Sequence, residues 1–416
     1  MCDPTCWRLI TKSVMAVVIV LSCRTGGAGE AHGTQREGAE PQAGGDADPV
    51  GGPRLESSEA ANDSEDAVAP ATAGHALIRQ AFELTQRAKT EEELTTAITL
   101  CGDGIARGAS DAQTKYAEGL MAWAHNKRGE LYASREGREA DALREFSRAA
   151  ELNPKLWRAM HNRAITYAGQ GKSTEALDDF NKTIELNQNY PNAWFNRGEL
   201  RYQLRQFEEA LADYDRAVQL APRDAGFRNS RGHALYQLGR LRPALDDFNL
   251  AARLDPKSPD ARVNRADIYR ELGQYAPAAG EYREAVRLGP QNGRALRSAA
   301  WFMSTCPDAR FRDSRMAMMA AEKAVELDGE TPAYLDTLAA AYASAGQFDS
   351  AQEVQAEAIG KAAKEDAASY KRRLEFYKRQ RPYREGPASP RTTAAAPRQG
   401  RAPAPRQGGR GPRFGR

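Results

Sequence analysis

The sequence predicts an all-α protein, a helix-turn-helix solenoid with a disordered flank at each end, and three observations predict it. Alanine stands at 142, 176, 210, 244 and 278, a strict period of 34 residues, and a ring follows each by four: Phe146, Phe180, Tyr214, Phe248 and Tyr282. An i, i+4 pair lies on one helix face, so each period contributes one small and one large residue to the same contact. Proline at 154, 222, 256 and 290 stops a helix once per period, since it has no amide hydrogen for a continuing helix. Both ends are rich in Gly, Pro, Ala and Ser and lack the apolar runs that could offset ordering entropy.

Other positions keep the same phase. One unit reads Trp194, Gly198, Tyr202, Ala210, Tyr214, Ala217 and Pro222; the next reads Gly232, Leu235, Ala244, Phe248, Ala251 and Pro256. On these residues the chain resembles the tetratricopeptide repeat (TPR) family, from about Ala122 to Lys361. The resemblance implies a right-handed superhelix of about seven helix pairs, with first helices lining a concave groove. Antiparallel helices that cross closely need a small side chain at the crossing, which Ala164, Gly198, Gly232 and Ala266 supply on the first helices.

Taken in order, residues 1–23 read as a signal segment, 24–73 as an acidic linker, and 74–121 as an N-terminal capping pair of helices. The array follows over 122–361, a capping helix over 362–383, and an Arg/Pro/Gly-rich tail over 384–416. The capping pair spans His75–Ala88 and Glu91–Ile105, with Thr90 as N-cap and Glu93 in capping-box position. In the first unit Gly129 precedes Ala142 by one residue more than the period allows, which lengthens the turn between them. No proline stands at 188, where Gln188 departs from the pattern and Pro191 is expected to take over. The sixth unit carries a long loop from Ser304 to Asp313, expected at an edge of the solenoid; Cys306 lies in it, with its exposure left open and no nearby histidine to support a nucleophile. Ser369 to Gln380 is amphipathic through Tyr370, Leu374 and Tyr377, as a capping helix requires.

The first residues bear on location. Arg8 and Lys12 precede an apolar run from Val14 to Leu21, too short to cross a bilayer but suited to a secretory signal. Val20-Leu21-Ser22-Cys23 resembles the lipobox of bacterial lipoproteins, in which the cysteine is lipidated after cleavage. Three outcomes stay open: lipidation of Cys23, ordinary cleavage near Ala28, and an uncleaved anchor or no export. Export to the envelope or periplasm is the expectation, with a cytoplasmic location as the alternative. Of the other cysteines, Cys101 reads as a small buried apolar residue, and Cys306 is too distant along a stack to pair with it.

A catalytic constellation is missing from the sequence. Gly171-Lys172-Ser173 ends like a phosphate loop but falls in a helix-helix turn and has Thr166 where the first glycine belongs. The histidines are isolated, with His161 and His233 two units apart, and no metal-ligand or nucleophile spacing appears, so neither an enzyme, a cofactor nor a metal is expected. Arg163, Arg197, Arg231 and Arg265 share one repeat position, as do Asn162, Asn196 and Asn264, and acids at 145, 179, 213, 247 and 281 share another. Because it recurs in every unit, this set reads as an inter-helix ladder.

Specificity then resides where units differ. By the resemblance, residues two, five, nine and twelve of each unit face the groove, which gives Arg158, His161 and Ile165; Asn192, Phe195, Glu199 and Tyr202; Asn229, His233 and Tyr236; and Asp260, Val263, Asp267 and Arg270. Rings mixed with hydrogen-bonding groups suit a peptide or partner protein laid in a groove. The net charge of +3 conceals a tail with eight arginines against one acid from residue 384 onward. Its Arg398, Arg401, Arg406, Arg410, Arg413 and Arg416 suit a polyanion, either an anionic envelope polymer or lipid, or nucleic acid. The chain therefore reads as a non-enzymatic protein-binding scaffold, with an RNA- or polyanion-associated adaptor as the alternative and self-association left open.

Overall fold

The computed structural model describes residues 73–386. The signal segment, Cys23, the acidic linker and the tail arginines from Arg391 on lie outside these residues. The described chain is a run of α-helices, joined by short turns, that pair antiparallel. In order, α1 is Ala73–Thr85, α2 Glu91–Ala106, α3 Asp111–Ala133, α4 Glu139–Leu152, α5 Trp157–Gly169 and α6 Ser173–Leu186. Then come α7 Pro191–Gln203, α8 Phe207–Leu220, α9 Ala225–Gln237, α10 Leu241–Leu254, α11 Pro259–Glu271 and α12 Tyr275–Leu288. The last are α13 Gly293–Thr305, α14 Ser314–Asp328, α15 Pro332–Ser344, α16 Phe348–Lys361 and α17 Lys364–Lys378. A 3₁₀ turn at Ala309–Phe311 interrupts the loop before α14.

The helices pair where the small and large residues meet. Phe146, Phe180, Tyr214 and Phe248 are 1% exposed and Tyr282 3%, each on the second helix of its pair. On the first helices the facing residue must be small. A Cβ at Gly198 would lie 2.9 Å from Tyr214 Cε1, and one at Gly232 would lie 2.7 Å from Phe248 Cε1. Ala164 and Ala266 fill the same position with no exposed surface.

Turns inside the pairs repeat as closely as the helices. Gly171, Gly239 and Gly273 hold φ of +75°, +73° and +72° one residue past the helix cap, and Arg205 takes the same place at φ +62°. A side chain there costs about 1 kcal/mol that glycine avoids. Prolines 154, 222, 256 and 290 each stand two residues beyond the end of a second helix, as expected. Pro191 does something else. It is the first residue of α7, where its missing amide hydrogen is harmless, so it begins a helix and does not end α6.

Three further features that the sequence reading missed or left open have local causes. Helix α3 runs unbroken through residues 121 and 122, because Ala117 to Ala124 contains no proline and its single glycine, Gly119, costs only about 1 kcal/mol in a helix. Ser110 caps α3 with Gln113 in a second capping box, alongside the expected one of Thr90 and Glu93. Cys306 is 1% exposed: as the C-cap of α13 it packs with Ala299 and Phe302 under the long loop. Cys101 is fully buried, as expected, and neither cysteine is paired.

Consecutive first helices touch one another, as α3 does α5, α5 does α7, α7 does α9, α11 does α13 and α13 does α15, whereas consecutive second helices approach less. Unequal spacing curves the stack, and the first helices form its inner face. At the far end α15 is buried almost all round, and α17 closes over it through Arg373 Nε to Asp336 Oδ1 at 2.6 Å. No described helix is long and apolar enough to cross a membrane.

Two substitutions at repeat-defining positions are expected to act with opposite sign. Gly232→Ala pushes a methyl group into the Phe248 ring and should destabilise the array by about 1–3 kcal/mol despite a better helix propensity. Arg205→Gly relieves a left-handed residue and should stabilise it by about 0.5–1 kcal/mol. Urea denaturation of each variant beside the parent checks both.

Candidate functional site

The ladder read from the sequence is present and does structural work. Arg163 grips Asp179 with Nε and Nη2 at 2.7 and 2.8 Å, Arg197 grips Asp213 at 3.0 and 2.6 Å, and Arg231 grips Asp247 at 2.7 and 2.6 Å. Arg265 and Glu281 repeat the pair. The spare Nη1 reaches back to the preceding unit: Arg197 to Asn181 at 2.7 Å, Arg231 to Asp215 at 2.9 Å, Arg265 to Asn249 at 3.3 Å. Each of these three guanidinium groups thus ties both helices of its own unit to the unit before. The first unit has the same pair in Arg128 and Glu145, which the sequence reading missed because the unit is one residue out of phase.

The asparagines join first helices to each other. Asn162 Nδ2 donates to Asn126 Oδ1 at 3.1 Å, Asn264 Nδ2 to Asn229 Oδ1 at 2.6 Å, and Asn196 meets His161 Nε2 at 3.4 Å. These side chains belong to the stack.

Of the candidate groove residues, the structure withdraws several from the surface. His161 is 3% exposed, edge-on to Phe180 and Tyr190, and burial holds its pKa down to about 3, so it stays neutral. Phe195 and Tyr202 are buried in the core between α7 and α9, and Val263 is fully buried. His233 is half-buried against Phe248, its pKa also about 3 through desolvation and the nearby Arg294. Asn192 is exposed, while Arg158, Ile165, Asn229, Tyr236, Asp260, Asp267 and Arg270 are half-buried. These remain on the inner face.

Position nine follows a rule that the sequence already contained. Where the core ring is tyrosine, the ninth residue is an acid: Tyr214 donates to Glu199 Oε1 at 2.8 Å, and Tyr282 donates to Asp267 Oδ1 at 2.6 Å. Where the ring is phenylalanine, the ninth residue is Ile165 or His233, and in the first unit Glu130, whose carboxylate instead accepts from Asn126, Lys127 and Asn162. A buried phenol needs an acceptor, and the acid supplies it at the cost of its own desolvation. Burial raises the Glu199 carboxyl above its ordinary range, while hydrogen bonds from Ser230 and Tyr214 oppose the shift.

The sixth first helix, α13, extends the same positions. Position nine becomes Trp301, and position twelve, after Arg270, becomes Ser304. Glu385 crosses this part of the inner face and places one carboxylate oxygen 2.6 Å from Arg270 Nη1 and 2.8 Å from Trp301 Nε1. The long loop, α12, α13 and α14 border an open pocket of about 920 Å³ lined by Tyr282, Phe302, Met303, Phe311, Met316 and Met319. The sequence reading placed the loop at an edge but gave no sign of this pocket. Among the described residues, no group of three or more His, Cys, Asp or Glu is placed to hold a metal.

The repeating helix pair, the ladder and the inner face define a helical-repeat solenoid. Family models of the tetratricopeptide repeat match residues 161–225, 203–266 and 259–292, so the central units are similar to that repeat. Among solved structures, YrrB, described as a TPR protein with an unusual peptide-binding site, is 25% identical over 42% of this chain and 91% of its own, with a TM-score of 0.39. PilF of Pseudomonas aeruginosa is 21% identical over 51% of this chain and 94% of its own, TM-score 0.44. Yeast Tom70 is 19% identical over 77% of this chain and 66% of its own, TM-score 0.42. No curated protein sequence matches the chain.

Glu199 gives the stack a pH signature. Its raised carboxyl takes up a proton in the folded state that the unfolded chain releases at the ordinary carboxylate pKa. The folded state therefore loses stability as pH rises from about 4.5 through the raised value. Glu199→Gln keeps an acceptor for Tyr214 and removes the titration. Its melting temperature relative to the parent should be higher at pH 7 than at pH 4, and an equal difference at both pH values would contradict the assignment.

Proposed function

We propose that this chain is a non-enzymatic scaffold that binds a peptide or partner protein along its inner face, in the cell envelope. One observation carries the reading: residues that hold the stack together recur unit by unit, whereas those that project from the inner face change. Asn192, Tyr236, Asp260 and Arg270 have different chemistry at related positions, as a surface specific for one partner requires. A stack fixed by its own ladder is already in its binding shape, so association costs little ordering entropy. The seven-unit array supplies a long groove, and extended peptides or helices are the ligands that fill such a shape.

The proposed location rests on the first residues, where a short apolar run after Arg8 and Lys12 ends at Cys23. A single lipid on Cys23, followed by a long acidic spacer, would tether the array and leave it mobile. The arginines from Arg398 to Arg416 would add weak attachment to an anionic polymer or lipid surface.

Crosslinking in cells, followed by mass spectrometry, tests the groove. The full-length chain should capture one envelope protein, and Arg158→Ala, Asn192→Ala and Asp260→Ala combined should lose it while keeping the parent's helical circular dichroism. Unchanged capture, or capture of nucleic acid alone, would remove the groove from the account. Cys23→Ala tests the anchor: the parent should partition into detergent and the variant into the aqueous phase, and identical partitioning would rule lipidation out.

A further inference from the structure

The inner face near the end of the array already holds a peptide, and the peptide is the chain's own. After α17 the backbone turns back at Gln380, whose φ is +51°, and Pro382 restrains the following residues to an extended path. Tyr383, Arg384 and Glu385 then cross the inner face at the end of α13. The Glu385 amide donates to Thr305 O at 2.9 Å and the Arg384 guanidinium to Ser304 O at 2.6 Å. Both acceptors lie in the last turn of α13, whose carbonyls have no partner within the helix and favour a cation. The Tyr383 ring lies 6.1 Å from Trp301 and 5.7 Å from Phe376, and the Arg373 guanidinium lies over Tyr383, Trp301 and Tyr370 at 5.7, 5.3 and 5.1 Å.

Glu385 completes the set. One of its carboxylate oxygens accepts from Arg270 Nη1 and from Trp301 Nε1, and the two side chains of the ion pair are only 13% and 21% exposed. The Arg270 guanidinium loses hydration by burial and is held charged by Glu385, with Asp267 and Glu271 adding to the field. Neither contact is needed to build a repeat. Residues at the place of Arg270 in the three preceding units are Ala168, Tyr202 and Tyr236, and those at the place of Trp301 in the four preceding units are Ile165, Glu199, His233 and Asp267. The ladder arginines recur because the stack needs them; this arginine and this tryptophan occur once, where an acid arrives from 115 and 84 residues away.

The geometry points to a carboxylate-reading peptide site formed by Arg270, Trp301 and the end of α13, which the chain fills in cis with Tyr383-Arg384-Glu385. Its ligand in trans is an extended segment of a partner protein that carries a glutamate with an aromatic residue two places before it. This deepens the groove reading proposed above and rests on it. The acid is the fixed requirement, because removing Glu385 without a substitute leaves a desolvated guanidinium without that partner. The aromatic residue supplies contact with Trp301, and the backbone amide supplies register. A partner that offers the same three features displaces residues 383–385 and takes over their contacts, so the cis segment sets a threshold that weaker ligands do not pass.

The test uses the full-length chain and a fluorescein-labelled peptide of its own residues 380–386, Gln-Arg-Pro-Tyr-Arg-Glu-Gly, followed by anisotropy. The parent should bind it weakly, and Glu385→Ala should bind it about tenfold or more tighter because the site is emptied. Adding Arg270→Gln to Glu385→Ala should return binding to the parent's level or below, as should a peptide with glutamine for its glutamate. Circular dichroism and melting confirm that each variant is folded. A second variant, Tyr383→Ser with Glu385→Ala, releases the segment more fully and should bind no less tightly than the single one. If neither variant binds the probe better than the parent does, or if binding ignores Arg270, the inference is overturned. Partner capture that still depends on Arg158, Asn192 and Asp260 would then leave the groove reading standing without it.

Discussion

Everything in this molecule depends on how closely two antiparallel helices can cross. The crossing is close only where one side chain is nearly absent and the other is a ring, and the chain supplies that pair in every period, as Gly198 does against Tyr214 and Gly232 against Phe248. A single pair of helices buries one such contact and leaves its flanks exposed. Stacking covers the flanks, so the unit of stability is the interface between neighbours and not the repeat.

The polar groups follow from the apolar geometry. Once the helices are fixed at that distance, a guanidinium on the first helix can reach a carboxylate on the second with one edge and the previous unit with the other. Bidentate pairs of this kind hold direction as well as distance, which keeps successive units in the same relative orientation. The buried phenols make the same point from the other side. Tyr214 and Tyr282 bring a hydroxyl into the core, and Glu199 and Asp267 are in place to receive it. Glu199, which looks like a groove residue in the sequence, is in this way committed to the interior of the stack, and so is His161.

Most of the fold was legible because it is periodic. Alanine, ring and proline positions marked the helix pairs from 122 to 290, and the second-helix ends fell where the prolines said. What the period did not contain was harder to read. Pro191 has the same chemistry whether it ends one helix or begins another, and only its place in the backbone distinguishes the two. Cys306 sits in a segment with loop-like composition, yet it caps a helix and is covered by that loop. The candidate site was legible only in part. Counting positions two, five, nine and twelve found the inner face, including Arg270, but could not tell which residues there were consumed by contacts between units. Trp301 stands at position nine of the sixth unit, to which the counting was not carried, and Glu385 was beyond reach, since the segment from 384 onward has the composition of a tail and its contact with α11 and α13 joins residues far apart in the chain.

The central claim is that the inner face, and not the outer one, is where this protein meets its partner. Hydrogen exchange read by mass spectrometry, on the full-length chain with and without the captured partner, addresses it most directly. The account predicts slower exchange in the first helices, above all residues 259–271 and 293–305, together with faster exchange in residues 381–386 as the chain's own segment is displaced. Slower exchange confined to the second helices, with residues 259–271, 293–305 and 381–386 unchanged, would contradict it.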